Sequence, residues 1–400
     1  MKPKIRFKGF EGEWKTSTIG DFTTSFSGGT PTAGASEFYG GNIPFIRSGE
    51  IHESKTELFL TEAGLNNSSA KVVEKGTLLY ALYGATSGEV GISKIRGAIN
   101  QAILAIYPNK TVDKRFLANY LQSHKQKIVG ELLQGGQGNL SGALVKSISV
   151  TYPNNREQQT ISDYVDSLDS QISAATSRLA SLKQMKAASL QAMFPQEGET
   201  VPKIRFKGFE GEWRTCPLYH FAKKRTEKNT KMLYNITLTN SAEFGIIDQR
   251  NFFDHEISNS ENINGYYVVR DHDFVYNPRI SSSAPVGPIN QNKLGYTGVM
   301  SPLYLVFEIN GINRDFLEIF FHTTLWHKYM FDNGNTGARF DRLAISDEDF
   351  MKMPIPDIDF GEQQAIASYF TSLDRQISLQ SQRLEKLKQI KSACLDKMFV

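Results

Sequence analysis

The sequence predicts an α+β chain: two similar, mainly-β globular bodies held apart by two long antiparallel helices that form a coiled coil, the whole an internal pseudo-twofold repeat. Three observations carry this expectation. A 38-residue segment from Glu157 to Phe194 recurs without a gap from Glu362 to Phe399, with 21 identities. The run PKIRFKGFEGEW stands at Pro3 to Trp14 and again, letter for letter, at Pro202 to Trp213. Between these scaffold pieces lie stretches of short strand-like runs and Gly-rich turns.

The chain therefore divides into a lead-in (1–14), a first body (15–152), a first long helix (153–194), a linker with the repeated lead-in (195–213), a second body (214–356) and a second long helix (357–400). The first body contains NIPFIRSGEI, GTLLYALYG and AINQAILAIYP as strand-like runs, then one helical stretch from about Val112 to Leu133. The second differs in most letters but keeps a skeleton. Val72 to Gly91 lies over Val268 to Gly287, with Tyr80 on Tyr276 and Val90-Gly91 on Val286-Gly287, and Phe116-Leu117 lies over Phe316-Leu317.

In the first helix Ile161, Val165, Leu168, Ile172, Leu179 and Leu182 fall on alternating four-three spacing, the seam of a heptad. The second repeats it with Ile366, Phe370, Leu373, Ile377, Leu384 and Leu387. Lys186 and Lys391 occupy one equivalent seam position, where a long stem can lie along the apolar stripe with its charge in water. Gln380 breaks the stripe once. Two copies of one stripe in one chain are ready-made partners. Since one helix ends where the second lead-in begins, full-length pairing is antiparallel, with the end of the second helix beside the first lead-in.

Composition sets limits. Four hundred residues with 40% hydrophobic content fit two or more domains with real cores. No apolar run approaches a membrane span, and MKPKIRFKGF lacks the apolar core of a secretory signal, so a cytoplasmic location is expected. Cys216 and Cys394 have no metal-ligand or redox spacing. A net charge of +3 leaves any attraction to a polyanion to local patches.

Catalytic signatures are missing from the sequence. There is no Walker-type loop and no GxGxxG after a strand, and Asn277-Pro278-Arg279 lacks the second proline and the aromatic of an amino-methylating motif. GGQGNLSG at Gly135 to Gly142 follows a helix and reads as a turn, while His322 and His327 have no Cys or carboxylate between them. What remains is surface suited to base edges and phosphates. In the first body this is Arg47, Ser48, Ser87, Lys94, Arg96, Asn100, Gln101, Gln137 and Asn139. The second offers Asn277, Arg279, Ser281 to Ser283, Arg339 and Arg342, with a basic run of Lys223, Lys224, Arg225, Lys228 and Lys231. Arginine suits guanine, and asparagine and glutamine suit adenine.

Taken together, the EQQ-x-I and SLD-x-QIS helices, the FKGFEGEW lead-ins and the SGGTP, GGNIPFIRSGEI and GATSG-x-VG-x8-NQA runs resemble the specificity subunit of type I restriction-modification systems. That resemblance implies two target-recognition domains, each reading one half of a bipartite, asymmetric site in double-stranded DNA. It implies that the helices set the number of unread base pairs and dock two methyltransferase (modification) subunits. Catalysis is then expected outside this chain: S-adenosylmethionine, ATP and Mg2+ are used by the modification and the ATP-dependent motor-nuclease restriction subunits, with no cofactor here. The second body departs from the pattern with SSSAPVG at the turn and Met300-Ser301 in place of the Asn-Gln pair. Two other readings stay open: a stand-alone DNA methyltransferase or nuclease, and a coiled-coil scaffold whose bodies bind protein or sugar.

Overall fold

A computed structural model describes residues 2–133, 139–251, 260–336 and 341–400. It comprises two compact units, Met1–Ser177 with Gln382–Val400, and Arg178–Ser381. In the first unit, a four-stranded antiparallel sheet runs in the order Thr23–Ser27, Ile103–Pro108, Leu78–Ala81, Val90–Ile92. A second sheet orders Leu58–Leu60, Tyr39–Ile46, Gly97–Ile99 and Lys71–Val73, with Tyr39–Ile46 and Gly97–Ile99 parallel.

The unbroken apolar run of Leu78–Ala81 follows from burial on both faces. Side chains alternate along a strand, so Leu79 and Ala81 pack with Ile46, Val73 and Ile99 of the second sheet. Leu78 and Tyr80 face the other way, onto Phe116, Leu117 and Tyr120. The helical stretch is two helices, Lys114–Ser123 and Lys125–Leu133, rather than one. His124 breaks it: its backbone leaves helical geometry (φ −98°, ψ 6°) and its Nδ1 lies 3.0 Å from the Tyr120 carbonyl and 2.8 Å from Ser123 Oγ.

The second unit repeats the plan with other letters. Its four-stranded sheet orders Ala222–Lys224, Leu305–Ile309, Phe274–Tyr276 and Ile289–Gln291. Phe274 and Tyr276 pack in a core with Phe316, Phe320 and Phe321, while Val275 faces Leu238, Val269 and Met300. Two sequence correspondences shift here. Val90 pairs with Tyr80, but Ile289, not Val286, pairs with Tyr276, because the second turn is longer. Leu104 opposes Tyr80 as Leu305 opposes Tyr276, so the Asn100-Gln101 positions are filled by Ser301-Pro302 rather than Met300-Ser301.

The long helices span Asn155–Ala192 and Phe360–Lys397, 38 residues each. Side chains outside them satisfy their first free amides: Asn154 Oδ1 accepts from Glu157 N (3.0 Å) and Asp359 Oδ1 from Gly361 N (2.8 Å). In the first unit Leu168 and Ala175 are buried against Leu387, flanked by Ile172, Leu384 and Ile390, and Lys391 Nζ reaches Asp169 at 2.5 Å. Nearer the start of the first helix, Ile161 packs with Met398 and Phe399, and Val165 is buried. In the second unit Ile366 and Phe370 pack with Met193 and Phe194. There Lys186 Nζ reaches Asp374 at 2.6 Å and Ser189 Oγ lies 2.9 Å from Tyr369 Oη. Leu182 and Leu373 are buried, Leu179 and Ile377 half-buried. Numbering rises on one helix as it falls on the other in both units, so the pairing is antiparallel.

Each lead-in locks onto its unit in the same way. Arg6 donates from Nε and Nη2 to Glu157 (2.7 Å each) and from Nη1 to the Gly12 carbonyl. Arg205 does the same to Glu362 (2.6 and 2.7 Å) and Gly211. Both carboxylates are fully buried. The next residue of each EQQ, Gln158 or Gln363, accepts from the backbone N–H of Asp113 or Asn313, which caps the following body helix. Trp14 packs edge-on against Phe116, which also contacts Phe399; Trp213 packs against Phe194 and Phe316.

Candidate nucleic-acid interface

Three backbone hydrogen bonds gather the reading candidates of the first unit at one end of its sheets. Asn100 N donates to the Ile46 carbonyl (3.3 Å), Leu82 N to Ala102 (2.8 Å), and Leu140 N to Leu82 (3.0 Å). They bring together Arg47, Ser48, Asn100, Gln101 and Asn139, and with them Tyr83. The SGGTP run straps this corner: Thr30 Oγ1 donates to Gln101 Oε1. A Cβ on Gly28 would sit 1.8 Å from the Ile99 carbonyl oxygen, so only glycine lets the strap lie flat.

The members are not equally available. Arg47 is committed to Glu50 at 3.1 Å through two nitrogens and to Glu57, and those hydrogen bonds raise its already high pKa further. Burial works to raise Glu50, yet the bonds from Arg47 and the neighbouring amides hold it below the usual carboxylate range. Ser87 is buried, its hydroxyl donating to the Leu82 carbonyl, and serves the turn rather than a ligand. Lys94 and Arg96 sit at the opposite end of strand Gly97–Ile99 from Asn100, with Arg96 3.0 Å from Glu74. Gln101 and Asn139 are exposed. Gln137 and Arg339 lie outside the described residues.

In the second unit the same frame holds different side chains. Leu343 N donates to the Pro278 carbonyl (2.9 Å), as Leu140 does to Leu82, and Ile280 N donates to Asp341 (3.0 Å). Arg279 and Arg342 face each other across an antiparallel bridge. Asn277 is tied by its Nδ2 to the Asn240 carbonyl (2.9 Å), Ser281 caps its own turn at Ala284 N (3.2 Å), and Ser282 is exposed.

The basic run divides in the same fashion. Lys223 is exposed, and Lys224 pairs with Asp347 beside Arg342, Tyr267 and Tyr304 in a cavity of about 320 Å³. Arg225 is half-buried between Asp273 (2.7 Å) and Glu308 (2.8 Å), holding the fold rather than facing solvent. Burial raises the Asp273 carboxyl, against the opposing pull of the Arg270 amide and Arg225. Sequence reasoning missed Tyr83 and Thr30. The alignment of Tyr80 with Tyr276 already sets Tyr83, three residues on, over Arg279, and that correspondence is the signal for it.

Residues 11–184 match the model of the type I restriction modification DNA specificity domain. Over this stretch the chain is similar to that family. A type I restriction enzyme specificity subunit of Methanocaldococcus jannaschii is 31% identical over 170 residues, covering 39% of this chain and 38% of that protein. Another from Escherichia coli is 24% identical over 184 residues, covering 44% and 45%. The alignments thus span under half of these relatives. The fold is shared over the full length with a type I restriction-modification S subunit from M. genitalium, at a TM-score of 0.61 and 13% identity, covering 100% of this chain and 99% of that one. In sequence and fold, then, the chain is similar to type I specificity subunits. Among the described residues no helix is long and apolar enough to cross a membrane, and no three His, Cys, Asp or Glu cluster as a metal site.

Proposed function

We propose that the chain is the DNA sequence-specificity subunit of a type I restriction-modification complex. Each unit reads one half of a bipartite, asymmetric site, and the helix pair sets the spacer and docks two modification subunits. Restriction subunits complete the nuclease, and S-adenosylmethionine, ATP and Mg2+ act on those partners. The observation that carries this reading is the contrast between scaffold and tips. Arg6–Glu157 and Arg205–Glu362, the two buried glutamines and the paired tryptophans repeat, whereas the loops at matched positions hold Tyr83 and Asn139 in one unit and Arg279 and Arg342 in the other.

The energetics fit. Two linked modules need not bind tightly one by one. Each mismatched base pair costs about 1–3 kcal/mol, so a few read pairs per half supply the roughly 4–10 kcal/mol that separates specific from non-specific binding. With a net charge of only +3, the chain is expected to grip DNA weakly until its modification partners close around the duplex. The test is to exchange residues 214–356 for the body of another such subunit and map modified sites. One half of the recognised sequence should change and the other persist. A map changed in both halves or in neither would refute the reading.

A further inference from the structure

We infer that the second unit recognises guanine through Arg279 and Arg342, and that the first, with Gln101 and Asn139 in the equivalent corner, recognises adenine. The inference rests on the reading of the chain as a DNA specificity subunit and narrows it to base classes. The two units share one hydrogen bond, Leu140 N to Leu82 O in the first and Leu343 N to Pro278 O in the second. The residue before each donor and the residue after each acceptor flank that bond. These positions hold Asn139 and Tyr83 in the first unit, Arg342 and Arg279 in the second.

Two guanidinium groups on segments joined by one β-bridge repel one another unless something electronegative lies before them. Their nearest carboxylate among the described residues is Asp341, 4.0 Å from Arg279 and 3.7 Å from Arg342, too far to take up their N–H donors. Arg279 is also 65% exposed. Arg47 and Arg225 differ, since short bonds to two carboxylates occupy each. Arg279 is exposed and Arg342, 25% exposed, borders it; no close carboxylate among the described residues takes up either fork, and such forks match the adjacent O6 and N7 acceptors of guanine in a major groove.

The first unit offers amides in that corner. Thr30 donates to Gln101 Oε1 and so fixes which end of that side chain accepts, leaving Nε2 to donate. An amide with one donor and one acceptor presented together matches the N6 and N7 edge of adenine. Asn139 is exposed beside it.

The experiment uses the chain assembled with its modification subunits, carrying wild type, Arg279→Gln, Arg342→Gln, or the charge-preserving Arg279→Lys and Arg342→Lys, and sequences modified sites from a random duplex library. The wild type should modify a two-part site with guanine in the half that a body exchange assigns to the second unit. Either glutamine variant should lower preference for guanine there by roughly tenfold to a hundredfold, with the other half unchanged. The lysine variants, which serve if the glutamine forms do not accumulate, should keep affinity while losing part of that preference. A two-part site with no guanine in that half would overturn the inference. So would variants that bind all sequences uniformly less well with a shallower salt dependence, the mark of phosphate contacts. A wild type with no two-part site at all would remove the underlying reading as well.

Discussion

At the scale of single residues the most consequential contact is the buried Arg–Glu pair that opens each repeat. Removing one partner of such a pair leaves a charge stranded away from water, a loss of about 3–5 kcal/mol. Arg6→Ala should therefore lower the urea-derived unfolding free energy of the first unit by an amount of that order, and Arg205→Ala that of the second. An Arg6→Met, Glu157→Met double variant should be milder than either single change. His124 gives a pH dependence. Burial holds its imidazole below the ordinary value, with Lys127 acting in the same direction and the backbone of Tyr120 and Val400 opposing. The fold thus favours neutral His124, so its contribution is complete above about pH 6.5, the value of an unfolded imidazole, and is lost as pH falls toward the folded value. Denaturation at pH 7.5 and pH 5 should show His124→Gln less acid-sensitive than the parent. The letters made EQQ visible as a repeat, but not its work. Glu157 meets a partner 151 residues away, a pairing that no local pattern encodes. The tip residues were found by type, and only the fold could separate Arg47, tied down by carboxylates, from Arg279, which is not.

Among the elements, the two long helices were the most legible, because a heptad seam is a local property repeated many times. The break at His124 was not, since the flanking pattern stays apolar and helical and the interruption comes from hydrogen bonds at one residue. The body strands were legible as runs, but their register was not: equal letters at Val90 and Val286 concealed a longer turn. Helix ends matter more than the ion pairs along them. Phe399 is buried against Phe116 and Tyr120, and truncating such a side chain costs about 3–5 kcal/mol. Lys391→Ala, which removes only a partly exposed pair with Asp169, should cost about 1 kcal/mol or less. Thermal unfolding of Phe399→Ala and Lys391→Ala should rank them in that order, and the reverse would place stability in the charges.

For the molecule as a whole, the duplication predicts its own rearrangement. Ile5 N donates to the Lys397 carbonyl at 2.9 Å, and Ile204 N donates to the Ala192 carbonyl at 2.8 Å, where the chain runs on through PQEGETV. Joining residue 400 to residue 2 through a copy of that linker and opening the chain at 195–201 should give a protein with unchanged circular dichroism and modification pattern. Deleting one heptad from both long helices shortens the pair by about 10 Å, near 3 base pairs of rise, so sequencing of modified sites should find a different spacer between unaltered half-sequences.

The aromatic plugs at the helix ends also bear on how the chain is made. The unit Arg178–Ser381 is continuous, whereas the other joins the opening residues to Gln382–Val400. A ribosome delivers the chain from its first residue onward. The earliest-made half must therefore wait, its hydrophobic interior unfinished, until Phe399 emerges, while the half begun later can close ahead of it.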